Sequence, residues 1–187
     1  MDLSVYFKPL DKEIFDRYSQ QKNLIGNVVT RYLEEEKFPD LTEIKIAIFG
    51  VPEDRNSFGN RGCAEAPDKI RERFYKLKAV SHPYRIADLG NLRLGETVND
   101  TYAAVSGIMV ELIREGILPI ILGGSQDLTF AQYVAYQKLE ETVNIVSVDA
   151  YFDLGTTDEN LRSHSYLGKI ILHEPNFLFN FSNIGYQ

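Results

Sequence analysis

The chain has 187 residues with 20 basic and 27 acidic side chains, so its formal net charge is -7. An acidic balance argues against a nucleic-acid-binding protein, which needs a basic patch, and no apolar run approaches the ~20 residues that cross a bilayer. The single cysteine excludes an internal disulfide framework, and we expect no signal peptide. With no central linker in view, these features predict one domain over residues 1–187, located in the cytoplasm.

The apolar pattern predicts strands that alternate with helices along the chain. An amphipathic stripe favours an N-terminal helical segment within residues 1–40, mainly between 11 and 37. The predicted strands cover residues 45–51, 84–89, 117–122, 143–148 and 177–184, and the predicted helices cover 67–77, 99–115, 127–141 and 163–173. Such alternation is typical of βαβ units, so the predicted fold class is a three-layer α/β/α domain with a mostly parallel sheet.

Two of the predicted strands carry a further expectation about burial. The run ILPIILG, residues 117–123, does not alternate, which favours a strand buried on both faces. The run FLFNF, residues 177–181, is apolar and aromatic and needs neighbours on its face and edge. If those neighbours are absent, the exposed apolar surface predicts a homo-oligomer.

Three strand ends carry polar or glycine-rich sequences, and the ligands of open α/β sheets bind beyond the carboxyl ends of the strands. The first is the long loop of residues 50–67, in which Asp54, Asn56 and Arg61 are candidate pocket residues. Long loops at such positions are often functional. The alternative is a surface connection in which Gly59 and Gly62 simply permit positive φ.

The second strand end is the segment LGGSQDLTF, residues 122–130. Gly123 and Gly124 allow close backbone approach, and a helix N-terminus can bind an anion through its free N–H groups. A nucleotide or anion binder is therefore one hypothesis for this chain. The alternative is structural, with Ser125 or Asp127 acting as the N-cap of the next helix.

The third strand end carries two carboxylates. Asp149 follows the predicted strand 143–148 directly, and Asp153 comes four residues later. Carboxylates that converge at a strand end favour a hard divalent cation such as Mg²⁺ or Mn²⁺. The alternative is that Asp149 caps a turn and Asp153 is solvated.

In this order and spacing, the three loops resemble the ureohydrolase family, which contains arginase, agmatinase and formimidoylglutamase. The family motif G-[VI]-P-x-D, with the later arginine–glycine, A-P and I-R pairs, is matched by residues 50–54, 61–62, 66–67 and 70–71. The family motifs G-G-x-H and D-A-H-x-D have counterparts in residues 123–126 (GGSQ) and 149–153 (DAYFD). The phenylalanine in the second of these looks closest to the formimidoylglutamase-like branch.

The resemblance implies the N-terminal half of the arginase fold and, for the family, hydrolysis of C–N bonds in linear amidines. Two manganese ions held by two His and four Asp would activate a bridging hydroxide. Gln126 and Tyr151 occupy the two His positions, whereas Asp149 and Asp153 match the first two Asp positions. The other two aspartates belong to an S-x-D-x-D-x-x-D-P motif without a counterpart here. This incomplete metal-ligand set leads us to expect weak or absent manganese binding.

These substitutions predict a chain that is catalytically inactive by itself and has no catalytic residue of its own. The alternative is an N-terminal fragment or subunit of an active formimidoylglutamase-like or arginase-like hydrolase. By resemblance, the partner would be a small amidine, with Ser125 and His164 as further pocket candidates; for His164, the alternative is a helix start with Ser163 as N-cap. We predict no nucleic-acid partner and no membrane partner.

Overall fold

The structure, a computed structural model, describes residues 1–15, 18, 22–57, 59–79, 85–156 and 160–187. The chain folds into two compact units. The first unit comprises residues 1–52, 64–94 and 111–124, and the second comprises residues 53–63, 95–110 and 125–187. Tyr84, the first residue of a predicted strand, lies outside the described residues, as do residues 16–17 and 19–21 of the predicted N-terminal helix.

The helices and strands follow the predicted alternation over most of the chain. The strands are β1 (Phe7–Lys8), β2 (Thr30–Arg31), β3 (Ile44–Val51), β4 (Arg85–Leu92), β5 (Leu118–Gly123), β6 (Val143–Val148) and β7 (Leu178–Ile184). The helices are α1 (Lys12–Phe15), α2 (Ile25–Val28), α3 (Ala66–Phe74), α4 (Val98–Arg114), α5 (Leu128–Lys138) and α6 (Tyr166–Ile171). An α/β fold with mainly parallel strands is thus confirmed. None of the described helices is long and apolar enough to cross a membrane.

The first unit contains a five-stranded sheet in which β3 is central. β3 pairs in parallel with β4 on one side and with β5 on the other, while β4 also pairs with the short β1 and β2. Apolar residues in β3 and β4, among them Ala47, Phe49 and Leu89, are fully buried. A continuous apolar run therefore becomes the interior of the sheet, as expected for a parallel arrangement.

A buried ion pair joins the middle of β4 to α3. Asp88 in β4 accepts hydrogen bonds from Arg71 Nε at 2.9 Å and Nη2 at 3.0 Å, and from the Tyr75 hydroxyl at 2.6 Å. Arg71 also reaches Asn91 Oδ1 at 2.6 Å. A Cβ on Gly50 would lie only 1.9 Å from that oxygen, so glycine is required there for the strand to pass the network.

The predicted helix between residues 11 and 37 is wrong for the described residues, which form α1, α2 and β2 instead. Asn23 adopts a left-handed φ of 64°, and the N–H groups of Ile25 and Gly26 donate to carbonyls of residues 77 and 75. A Cβ on Gly26 would lie within 2.8 Å of the Cβ atoms of Tyr18 and Tyr75. Tertiary packing and these long-range hydrogen bonds therefore outweigh the amphipathic pattern.

The predicted burial of β5 on both faces is also wrong. Leu118 is 58% exposed and Ile120 is 39% exposed. Within the described residues, β5 is the edge strand of its sheet, with β3 as its neighbour. An edge strand has a neighbouring strand on one side only, so its side chains are less enclosed than the apolar sequence predicts.

The second unit contains the parallel pair β6–β7 with α5 and α6. One face of this two-stranded sheet belongs to a core cluster with Tyr133, Tyr166, Leu167 and Ile170. The opposite face is open, because Val146, Val148 and Ile184 are 64%, 82% and 58% exposed. We call the surface formed by these three residues the open apolar face. It is an exposed apolar surface, as expected from the sequence of β7 if its neighbours are absent.

Candidate active site

The best-buried polar cluster of the second unit lies around Asp127, immediately before α5. Its carboxylate is fully buried and accepts hydrogen bonds from the hydroxyls of Tyr102 and Ser125. The Tyr102 hydroxyl in turn accepts a hydrogen bond from Asn56 Nδ2 at 2.9 Å. Burial and the bond to Asp127 raise the pKa of Tyr102 well above its usual range, so the phenol stays a proton donor.

The interpretation of Ser125 or Asp127 as a helix cap needs correction. Asp127 occupies the N-cap position of α5, but its side chain makes no capping hydrogen bond. Its oxygens accept hydrogen bonds from Tyr102 and Ser125 instead, and these satisfy the buried carboxylate. The cluster fixes the start of α5 and, through Asn56, the middle of the long loop.

The long loop is held by a second, charged cluster. Glu53 is fully buried and forms a bidentate pair with Arg55, whose Nε and Nη2 lie 2.9 and 2.6 Å from the two carboxylate oxygens. Arg55 also donates to the carbonyls of Gly95 and Glu96 and to the Thr101 hydroxyl. Burial alone would raise the pKa of Glu53, but the hydrogen bonds and charge of Arg55 outweigh it and hold the pKa below its usual range.

Asp54 and Arg61, both predicted pocket residues, close the loop upon itself. Asp54 Oδ2 accepts the Gly62 N–H at 2.7 Å, and its other oxygen lies 3.4 Å from Arg61 Nη1. Gly62 has a φ of +95°, a value that favours glycine. Asp54 therefore stabilises the loop by bonding to residues within it. Arg61 remains largely exposed, with a 65% accessible side chain.

Asp149 lies at the carboxyl end of β6 and is satisfied by neutral donors. Its Oδ1 accepts the Tyr151 N–H at 3.0 Å, and its Oδ2 accepts a hydrogen bond from Gln126 Nε2 at 2.8 Å. The same amide nitrogen lies 3.4 Å from the hydroxyl of Tyr166. The Tyr151 N–H and then the Gln126 amide lower the pKa of Asp149 below its usual range.

Tyr151 contributes its backbone to this site. It is 69% exposed as a residue, and its carbonyl accepts a hydrogen bond from Asn183 Nδ2 at 2.8 Å. The loop around the candidate metal position is therefore shaped by main-chain contacts.

Asp153 has an environment opposite to that of Asp149. Its pKa is raised, first by burial and then by the negative charge of Asp149, while His164 opposes the shift. Its backbone is left-handed with a φ of 52°, and its carbonyl accepts the Leu167 N–H at 3.2 Å. Asp153 and His164 are therefore electrostatic neighbours beside the start of α6.

The helix start predicted at Ser163 lies three residues too early. α6 begins at Tyr166 with Ser165 as its N-cap residue, so His164 stands in the preceding loop. The Ser163 N–H donates instead to the Asn56 carbonyl at 3.2 Å. This bond places the pocket candidates Asn56 and His164 on neighbouring segments of the second unit.

The N–H groups of Gly124 and Ser125, next to the Gly123–Gly124 turn, are not free to bind an anion. The Gly124 N–H donates to the Val51 carbonyl at 3.0 Å, and the Ser125 N–H donates to the Glu53 carbonyl at 2.8 Å. The carboxylate of Asp127 also stands at the start of α5, where a phosphate would have to bind. Engaged amides and a resident negative charge both oppose anion binding at a helix N-terminus.

Sequence reasoning missed five residues that build this site. They are Glu53, Arg55, Tyr102, Tyr166 and the Asp127 carboxylate as an acceptor. Tyr102 and Tyr166 fall within the predicted helices 99–115 and 163–173. A buried tyrosine carries a polar hydroxyl that needs a hydrogen-bond partner, and this requirement could have indicated their role.

The chain belongs to the arginase family. The arginase family model matches residues 44–184. Among curated proteins, formimidoylglutamase of Staphylococcus epidermidis is 27% identical over 157 residues, which cover 77% of this chain and 50% of that protein. Formimidoylglutamase of Staphylococcus aureus strain MSSA476 is 26% identical over 73% of this chain and 48% of its own length. The chain thus spans about half the length of the curated relatives it matches.

Solved structures show the same fold. Trypanosoma cruzi formiminoglutamase with Mn²⁺ aligns with a TM-score of 0.66 and 18% identity, covering 78% of this chain and 57% of that one. Agmatine ureohydrolase of Thermoplasma volcanium aligns with a TM-score of 0.62 and 22% identity, covering 89% and 63%. Arginase from Medicago truncatula aligns with a TM-score of 0.65 and 21% identity, covering 78% and 51%. These likenesses confirm the resemblance to the N-terminal part of a ureohydrolase.

The residues at the family's metal positions do not fit a pair of manganese ions. No group of three or more His, Cys, Asp or Glu side chains that could hold a metal occurs within the part of the chain that the structure describes. Gln126 presents an N–H donor to Asp149, and a donor cannot also ligate a cation through the same atom. Asp149 and Asp153 are brought near each other, but Gln126 and Tyr151 do not complete a ligand set around them.

Proposed function

We propose that this chain is an arginase-family protein that does not hydrolyse amidines by itself and that acts in binding or as a structural part of an assembly. One observation carries the proposal: at the two positions where the family resemblance implies His ligands, this chain has an amide that donates to Asp149 and an exposed tyrosine. As part of the proposal, we place the protein in the cytoplasm.

The chemistry of water activation supports this proposal. A metal site lowers the pKa of bound water only when its ligands hold the cation in a defined geometry. The affinity of such a site depends on the type and number of its ligands, and imidazole suits first-row transition metals well. A phenol with a pKa near 10 is a poor replacement, because it ionises only with strong assistance.

Metal analysis combined with substrate assays tests the proposal. The purified chain is dialysed against Mn²⁺ and analysed by mass spectrometry, then incubated with formimidoylglutamate, agmatine and arginine, the substrates after which the relatives are named. We expect no stoichiometric manganese and no release of formamide, urea or ammonia, while a formimidoylglutamase assayed in parallel turns over. Two manganese ions per chain together with turnover would overturn the proposal.

The double substitution Gln126→His, Tyr151→His addresses the same proposal. It restores both His positions but supplies none of the remaining aspartates. We expect it to remain inactive towards the three substrates. Product formation above the level of wild type would contradict our account of the incomplete site.

The alternative is that the chain acts as part of an active hydrolase, with the other ligands coming from polypeptide outside residues 1–187. Two observations favour it: the relatives are about twice as long as the matched region, and the open apolar face needs cover. Determining the coding sequence downstream of Gln187 and assaying the extended product distinguishes the two. An S-x-D-x-D continuation with manganese-dependent turnover would establish the alternative.

We also propose that residues 1–187 self-associate when expressed alone. Light scattering during gel filtration should show a species larger than 21.4 kDa. Val148→Lys on the open apolar face should shift the population towards monomer, whereas Lys169→Glu, on α6, should not. A monomeric wild-type chain at high concentration would refute self-association.

A further inference from the structure

The Gln126 amide makes a contact at Asp149 that the proposed function does not explain. Gln126 lies between β5 and α5, while Asp149 ends β6, and their 2.8 Å hydrogen bond joins residues 23 apart in sequence. An amide facing a carboxylate must present its nitrogen, because its oxygen would be repelled. The direction of this bond therefore follows from the chemistry of the two groups.

A second contact holds the amide in place. The hydroxyl of Tyr166, a residue only 2% exposed at the start of α6, lies 3.4 Å from Gln126 Nε2. A primary amide nitrogen carries two protons, so one can serve Asp149 while the other is directed at Tyr166. The amide thus links the starts of α5 and α6 to the end of β6, all within the second unit.

The two oxygens of Asp149 are then both engaged. The Tyr151 N–H holds Oδ1, and the amide holds Oδ2. In a metal site, the bound cation provides the positive charge that stabilises such a carboxylate. Here two N–H dipoles supply it, and a cation approaching Oδ2 from the side that the amide occupies would have to displace Gln126.

We infer, resting on the proposed function, that Gln126 takes the place of a cation: its amide keeps the end of β6 ordered without metal and blocks Mn²⁺ from Asp149. The glutamine is thereby a structural replacement for a metal ligand. Gln126 should therefore affect both the exchange of its own amide and the manganese affinity of the chain, and neither quantity depends on activity.

The first test reads the side-chain amide of Gln126 by NMR in the metal-free chain. A proton in a 2.8 Å bond to a carboxylate should be shifted downfield and protected from solvent exchange relative to a free glutamine. Asp149→Ala, which removes the acceptor, should abolish both features, while Asp153→Ala should change them less. Unchanged Gln126 resonances in Asp149→Ala would overturn the inference.

The second test titrates Mn²⁺ alone and follows the free ion by electron paramagnetic resonance. Loss of a group that only orients a ligand changes metal affinity about 10- to 100-fold, so Gln126→His, which adds a ligand and removes the block, should tighten binding by at least about tenfold. The matched control is Gln132→His, which adds the same side chain further along α5. Equal gains in both variants, or a wild type that binds as tightly as Gln126→His, would overturn the inference.

Gln126→Ala keeps the inference testable if the histidine variant fails to fold. It removes the donor without adding a ligand, so hydrogen exchange of the Tyr151 amide should accelerate while manganese affinity rises less than in Gln126→His. An unchanged exchange rate would count against the role of the amide. These measurements use no substrate, so turnover by wild type would defeat the proposed function without deciding them.

Discussion

Asp88 lies within the parallel strand β4 of the first unit and Asp149 directly follows the parallel strand β6 of the second, and their carboxylates are stabilised in different ways. Asp88 is fully buried and is paired with the Arg71 guanidinium, whose two nitrogens lie 2.9 and 3.0 Å away. Asp149 is only half-buried and receives neutral N–H donors from Gln126 and Tyr151. Of these two aspartates, the fully buried one has a permanent cation beside it, whereas the partly solvated one is stabilised by neutral N–H donors alone.

The largest effect should come from breaking the buried pair. Arg71→Leu leaves Asp88 buried without its cation, which costs about 3–5 kcal/mol in the free energy of unfolding. Urea denaturation followed by circular dichroism measures it. Arg73→Leu, an exposed arginine on the same helix, is the control and should cost little. A comparable loss in both variants would show that the charge pair is not the reason.

A smaller effect is expected at the buried carboxylate of the second unit. Tyr102→Phe removes one of the two hydroxyl donors to Asp127 and should lower the free energy of unfolding by about 1–3 kcal/mol. Tyr136→Phe on α5 gives the background cost of losing a tyrosine hydroxyl. If Tyr102→Phe were as stable as wild type, the Asp127 cluster would not anchor the loop as described.

The acid stability of the chain should depend on Glu53. Because its pKa in the folded state lies below the unfolded value, its stabilising contribution is present above the unfolded pKa and is lost as pH falls through the folded one. Glu53→Gln should therefore flatten the loss of stability below about pH 4.3, the ordinary glutamate pKa. Free energies of unfolding measured from pH 7 to pH 3 test this. Glu65→Gln, at an exposed glutamate further along the chain, should retain the wild-type profile.

The smallest effect should occur at Asp149. Asp149→Asn keeps one acceptor oxygen of this half-exposed side chain and replaces the other with a neutral NH2 group, so the change in the free energy of unfolding should stay within about 1 kcal/mol. Asp88→Asn, measured beside it, should be several times more destabilising. Equal losses from the two substitutions would remove the distinction on which the comparison rests.

The strands could be predicted from the sequence because long apolar runs leave few alternatives. Both ends of β6 were predicted to the residue, and β3 to within one. The N-terminal segment could not be predicted, because its conformation depends on hydrogen bonds from Ile25 and Gly26 to residues about fifty positions away. The exposure of β5 could not be predicted either, because a sequence does not say which strand lies at a sheet edge.

The sequence predicted which residues belong to the candidate site, but it did not predict most of the contacts between them. The resemblance singled out Gln126 and Asp149 as neighbours in a site, but only the structure shows a donor–acceptor pair between them. The sequence places Arg71 in the I-R motif on a predicted helix and Asp88 in a predicted strand, and it does not indicate that the two residues pair. Their pairing depends on long-range packing, which local patterns do not report.

The hydrogen bonds that hold the long loop also affect where a protease can cleave the chain. Arg55 and Arg61 are both potential trypsin sites, six residues apart. Arg55 is held by Glu53, Thr101 and two carbonyls, so cleavage after it requires the loop to open, whereas Arg61 is largely exposed. Limited digestion should therefore cut after Arg61 before it cuts after Arg55.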